Sequence, residues 1–125
     1  MLMKLGKFTF ELNTAAYQKL SRRSQYNWQK FKRLDNKPAQ QFLGHNSDQI
    51  IIDGIIYPKF RGGLKQIDLM RSEAAKGTDH LLVSGVGDVM GQWVILSIDE
   101  THEFFTKEGA PLKITFKMTI EEFAA

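Results

Sequence analysis

The chain has 125 residues, no cysteine and no uninterrupted apolar run approaching the ~20 residues of a membrane-spanning helix. Without cysteine there is no disulfide, no thiolate nucleophile and no cysteine-ligated zinc, and the composition fits a protein kept in a reducing cytoplasm. The opening residues, Met1-Leu2-Met3-Lys4-Leu5-Gly6-Lys7, lack the apolar stretch of a secretion signal, so a soluble, unprocessed chain is expected. No low-complexity tract, internal repeat or linker divides the sequence. A single domain over residues 1–125 is expected, large enough to bury a core without covalent staples.

Charge is unevenly spread. Residues 1–37 hold nine bases and two acids, about +7, whereas residues 38–125 hold eight bases and twelve acids, about −4. Such segregation recruits a polyanion or pairs the basic part of one copy with the acidic part of the next.

Periodicity gives the elements. Lys7–Leu12 alternates, placing Phe8, Phe10 and Leu12 on one face of a strand, and Leu112, Ile114, Phe116, Met118 and Ile120 do the same in the last strand. Residues 14–20 read as a helical turn or loop. Tyr26 and Trp28 mark a strand reaching about Lys32, their rings pointing inward, and Asp35-Asn36-Lys37-Pro38 reads as a turn. Gln41-Phe42-Leu43 is a short strand expected to pair with Ile50–Ile56. That second strand is apolar on both sides and so needs cover on both. Leu64, Ile67, Met70 and Ala74 recur at helical spacing, predicting one helix over 64–76 that Gly77 stops, with Glu73 off the apolar stripe. Leu81-Leu82-Val83, a Gly85-Val86-Gly87-Asp88 turn and a two-sided strand Gln92–Ile98 follow. The fold class expected is α+β and mostly β: an antiparallel sandwich or partly closed barrel flanked by the helix at about 64–76.

Catalytic and cofactor chemistry finds little footing. Gly85, Gly87 and Gly91 miss the dinucleotide spacing by one residue and precede a strand where that motif requires a helix. Gly62-Gly63-Leu64-Lys65 lacks the glycine spacing and hydroxyl of a phosphate loop. His45, His80 and His102 are far apart, with no pair one helical turn apart to preassemble a metal site. Ser84 lacks the preceding glycine of a nucleophile elbow and reads as a turn residue. Asp99, Glu100 and Glu103 follow a strand without the punctuated spacing of a calcium loop, and read as a solvated or interface edge. No cofactor, metal or catalytic residue is expected. The segment 19–37 carries seven bases and one acid among Tyr26, Trp28 and Phe31, the composition of a single-stranded nucleic-acid groove. The expected inward direction of Tyr26 and Trp28 argues instead for a basic solvent or protein-contact face.

An ordered series runs through most of the chain: Trp28, Gln41, Gly44, Asp48, Ile51, Gly54, Tyr57-Pro58, Gly62, Leu69, Gly77, Val83-Ser84-Gly85, Gly87, Gly91-Gln92-Trp93, Glu100 and Phe116. In this series the sequence resembles the GpU tail-protein family of contractile-tailed phages and phage-like contractile particles. The resemblance implies a fold similar to tail-tube subunits and a structural, non-enzymatic role. It implies a homo-oligomeric ring, a hexamer, on the tail axis, joining the tail tube to the baseplate hub. A terminator or completion ring at the head-proximal end is the alternative position. Partners implied are further copies, the tail tube, the baseplate hub, the tape-measure protein and the sheath, with DNA passing through the ring without specific binding and no membrane. Location in a virion tail assembled in the bacterial host cytoplasm follows. Scaffold positions expected are Trp28, Gly54, Tyr57, Pro58, Gly62, Gly87, Gly91 and Trp93. The expected interface sets Arg22, Arg23, Lys30, Lys32 and Arg33 of one copy against Asp99, Glu100 and Glu103 of a neighbour or of the next ring.

Overall fold

A computed structural model describes residues 3–10, 16–34, 37–57, 66–109 and 111–123. Among them the order is β1 (Met3–Leu5), β2 (Phe8–Phe10), β3 (Ala16–Arg23), β4 (Tyr26–Phe31), β5 (Ala39–His45), β6 (Gln49–Ile56), α1 (Gln66–Ala75), β7 (His80–Ser84), β8 (Val89–Phe105) and β9 (Pro111–Glu122). Seven strands form one antiparallel sheet in the order β2-β1-β7-β8-β9-β6-β3. β4 and β5 form a second sheet of their own. The large sheet stays open, with β2 and β3 at its edges, and does not close into a barrel. The protein is mostly β with one flanking helix, as the alternations imply.

Alternation decides which side of this sheet is dry. Ile50, Ile52 and Ile56 of β6, Trp93 of β8, and Ile114, Phe116, Met118 and Ile120 of β9 each expose at most 1% of their surface. Ile67 and Met70 of α1 close over the same cluster from above. The helix is ten residues long, about 15 Å at 1.5 Å per residue, and Asp68 in its first turn sits favourably against the helix dipole. It ends where Gly77 takes a positive φ of 66° and its N–H donates to Ala74 O at 3.2 Å. Glu73, expected off the apolar stripe, is half-buried because it links the helix end to Lys76 and to His80 of β7. Gly91 adopts φ 96° beside the register shift between Leu82 and Val83, which turns the start of β8 so that the Trp93 indole N–H reaches Met90 O at 3.0 Å.

Several expectations need correction. Part of the 14–20 segment is strand, since β3 begins at Ala16 and pairs along the flank of β6. With β9 on the other flank, β6 has no edge left for β5, which pairs with β4 instead. Two-sided burial holds only in part: Ile51 and Ile55 are half-buried and Leu96 is 50% exposed, because the helix covers one face of the sheet. Asp99, Glu100 and Glu103 do not follow a strand but lie within β8, which continues to Phe105. Tyr26 and Trp28 are 60% and 57% exposed, not core residues, because their hairpin stands apart from the large sheet. β1 was not anticipated. Leu12, Leu64, Pro58 and Gly62 and the Asp35-Asn36 part of the expected turn lie outside the described residues.

Trp93 is the largest of the fully buried side chains. Trp93→Ala is expected to cost ~3–5 kcal/mol of unfolding free energy, read as a lower denaturant midpoint. Near-wild-type melting would show that the indole does not carry this packing.

Candidate functional site

The hairpin β4–β5 is built from strand-forming aromatics where the chain leaves the edge strand β3. Its root is clamped by the Asn46 N–H donating to Gln25 O at 2.9 Å and by the Asn27 amide donating to Asn46 Oδ1 at 2.8 Å. Above the root, Trp28 lies opposite Phe42 and Tyr26 opposite His45, with a bulge between them. The Trp28 and Phe42 ring centroids are 5.0 Å apart and tilted, and Tyr26 meets His45 edge-on at 6.4 Å. Tyr26 and Trp28, two residues apart, share one face of the hairpin. Phe42 remains 48% exposed, so the pair does not hide its own rings. Lys30 lies opposite Gln40, and Lys32 and Arg33 follow at the end of β4, all exposed. The Arg33 Nε–H donates to Lys37 O at 3.2 Å, which orients its guanidinium group. Among the described residues from 24 to 47 there is no carboxylate.

Arg22 and Arg23 behave differently from the cations further out. Arg22 donates twice to Asp48 Oδ2, at 2.9 and 2.7 Å, and its guanidinium carbon lies 5.4 Å from the centroid of the Trp93 ring. It is a strut between hairpin root and core. Arg23 lines a polar depression with Gln25, Asn46, Ser47, Gln49 and Glu121.

The three acids expected at an interface have partners within the chain. Asp99 stands opposite Lys117, which also faces Asp53, and Asp53 faces Lys19 on β3, giving an alternating row of charge across four strands. Glu103 stands opposite Lys113. Glu100 turns the other way, accepting from Arg71 of the helix and meeting His102 Nε2 at 2.7 Å. Basic arm and acidic residues therefore do not meet inside one copy. Of the scaffold positions, Gly54 is buried opposite Phe116, Tyr57 is partly exposed past the end of β6, and Gly87 forms the β7–β8 turn with its N–H on Ser84 O at 3.0 Å. Trp28 is on the hairpin surface rather than in the scaffold. The histidines do not converge, and no metal-binding cluster occurs among the described residues.

One exposed patch escaped the sequence reading. Phe104 and Phe105 are exposed near the β8–β9 turn, and Phe104 holds φ 55°, a left-handed conformation that a bulky side chain rarely adopts. Two adjacent aromatics in a strand cannot both face one core, and that signal marks them in the sequence. β8 and β9 extend past the end of β6 that carries Ile56, while the hairpin leaves the sheet at the end that carries Gln49. The two aromatic surfaces thus sit at opposite ends of the sheet.

Contact surface is what these residues present. The chain belongs to the phage P2 GpU family, which it matches over residues 6–124, and it is a structural protein of the phage tail class. It is also 28% identical over 123 residues to a "Probable tape measure protein" of Halomonas phage phiHAP-1. That alignment takes in 97% of this chain and 14% of the relative, so the chain spans a small part of that protein's length.

Three carboxyls titrate below their ordinary range. Hydrogen bonds from Arg22 and Ser24 lower Asp48, and the hydrogen bond and charge of Lys76 lower Glu73 despite some burial. Burial pushes Glu100 up, but hydrogen bonds from His102 and Arg71 outweigh it and lower it. Their stabilisation is complete above the unfolded carboxyl values of about 4 and is lost as pH falls through the lower folded values. Urea unfolding should therefore give level stability from neutrality to about pH 5 and a decline below about pH 4. Asp48→Asn is expected to begin less stable and to decline less, and an unchanged acid profile would remove the Arg22 contact from the balance.

Proposed function

We propose that copies of this chain close into a ring, a hexamer, coaxial with the phage tail and joining the tail tube to the baseplate hub, next to the tape-measure protein. The observation that carries this reading is the similarity of almost the whole chain to one segment of a tape-measure relative. A domain that one relative carries within a tape-measure chain is held there at high effective concentration near the tail axis, and the same location is read for this domain. The relative's own activity is not carried over with that position.

Geometry supports head-to-tail closure. The surfaces at the two ends of the sheet are unlike: a basic aromatic hairpin at one end, Phe104 and Phe105 at the other. Unlike surfaces make heterologous contacts, which close into rings when the rotation between copies permits. The strained backbone at Phe104 fits a residue held for contact rather than for the stability of its own chain. In this reading the ring also meets the sheath, DNA passes through its lumen, and assembly takes place in the bacterial host cytoplasm.

Native mass spectrometry should find a closed multiple of the 14.3 kDa chain, and negative-stain images should show rings with a central opening. Phe104→Asn, which tolerates left-handed backbone, should leave melting unchanged or raised while shifting half-assembly to a concentration at least about tenfold higher, as for an interface hot spot. A chain that stays monomeric at the highest attainable concentration would overturn the ring. Gold labelling of particles at the head-proximal end of the tube would favour a terminator instead.

A further inference from the structure

We propose that the β4–β5 hairpin binds single-stranded nucleic acid, with Tyr26, Trp28 and Phe42 as the stacking surface and Lys30, Lys32 and Arg33 as phosphate contacts. Alternation predicts an inward direction for Tyr26 and Trp28, whereas the structure turns both rings outward, at 60% and 57% exposure. Base stacking needs an aromatic face that solvent can reach, beside cations that follow the sugar-phosphate backbone. Both occur here on one projecting element whose root is clamped, so the rings are held in place before any ligand arrives.

Charge identifies the class of partner. Apart from Asp35, which lies outside the described residues, the hairpin has no carboxylate of its own beside Lys30, Lys32, Arg33 and Lys37. In the body, Asp48, Glu73 and Glu100 are in ion pairs and Asp53, Asp99 and Glu103 stand opposite lysines in the sheet, while Asp68, Asp79, Asp88, Glu108, Glu121 and Glu122 lie scattered over the helix, turns and strand ends. A second copy brings these scattered acids but no regular row of charge to match consecutive cations. A polyanion supplies it, and a polyanion with unstacked bases also uses the rings. Duplex DNA hides its base faces, which favours a single strand over a double one. The site is independent of base sequence, since every base has a π face.

The experiment uses the full chain and a short oligothymidine. The sequence has two tryptophans, one buried at 93 and one exposed at 28, so fluorescence quenching on titration reports the hairpin. Binding is expected at low salt, with log affinity falling linearly in log salt by about 0.7 per phosphate contacted. Phe42→Ala and Tyr26→Ala should each weaken it roughly five- to a hundredfold, and Lys32→Glu should weaken it and flatten the salt slope. Lys107→Glu, the same charge change at the far end of β8–β9, should do neither. Melting curves of each variant check that the body is intact. The proposal fails if no quenching occurs at low salt, or if Lys107→Glu matches Lys32→Glu. It also fails if duplex DNA binds as tightly and is indifferent to Phe42→Ala, which leaves only a basic patch. Loss of assembly in Phe42→Ala with oligothymidine binding unchanged would make the hairpin a protein-docking surface and overturn it equally.

Discussion

The dry face of the seven-stranded sheet is the constraint on which everything else rests. β6, β9 and β8 lie side by side with their inward residues in register: Ile50 beside Ile120 and Ile95, Ile52 beside Met118 and Ile98, Gly54 beside Phe116. A one-residue slip of any of these strands would turn a row of isoleucines and phenylalanine to water and bring lysines and threonines under the helix. Register is therefore set by burial, and α1 needs only Ile67 and Met70 to complete the seal. Once these strands are fixed, so are the edges, the ends and the point at which the hairpin leaves.

The opposite face follows from the same register. Strands that place apolar groups inward present Lys19, Asp53, Lys117 and Asp99 side by side outward, and the signs alternate across four strands. Each exposed pair adds little by itself, roughly 0–1 kcal/mol. Their larger effect is on what the surface can attract: a face whose charges answer one another exerts a weak net field. Positive charge is concentrated on the hairpin, where no carboxylate occurs among the described residues.

Legibility in the sequence divides along the same line between local and distant information. The β9 strand, the helix with its stop at Gly77 and the Gly85–Asp88 turn were readable because their signals lie within a few neighbouring residues. β3 was not, since Ala16–Arg23 becomes strand by pairing with β6, and the Arg22–Asp48 contact joins residues 26 apart. The hairpin shows a subtler limit. Alternation says that Tyr26 and Trp28 share a face, and it does; it does not say that anything lies over that face. The basic and aromatic composition of the candidate site was plain from its residues, whereas its exposure depended on where β6 found its partners.

That dependence ties the fold to the function. If β5 had paired with β6, its rings would have been drawn over the sheet and the cations spread along an edge near Asp48 and Glu121. Because β3 and β9 take both flanks of β6, β5 pairs with β4 in a hairpin of its own, and an isolated hairpin is marginally stable in water. Arg22 compensates at its root, held by Asp48 and laid over the Trp93 ring, so the foot of the hairpin is fastened to the largest buried side chain of the core. A hairpin fastened at the root and bare along its length is stiff enough to keep its rings arranged and open enough to use them. Beyond its root such an element has few contacts within its own chain, and the segregation of charge along the sequence leaves that bare length basic.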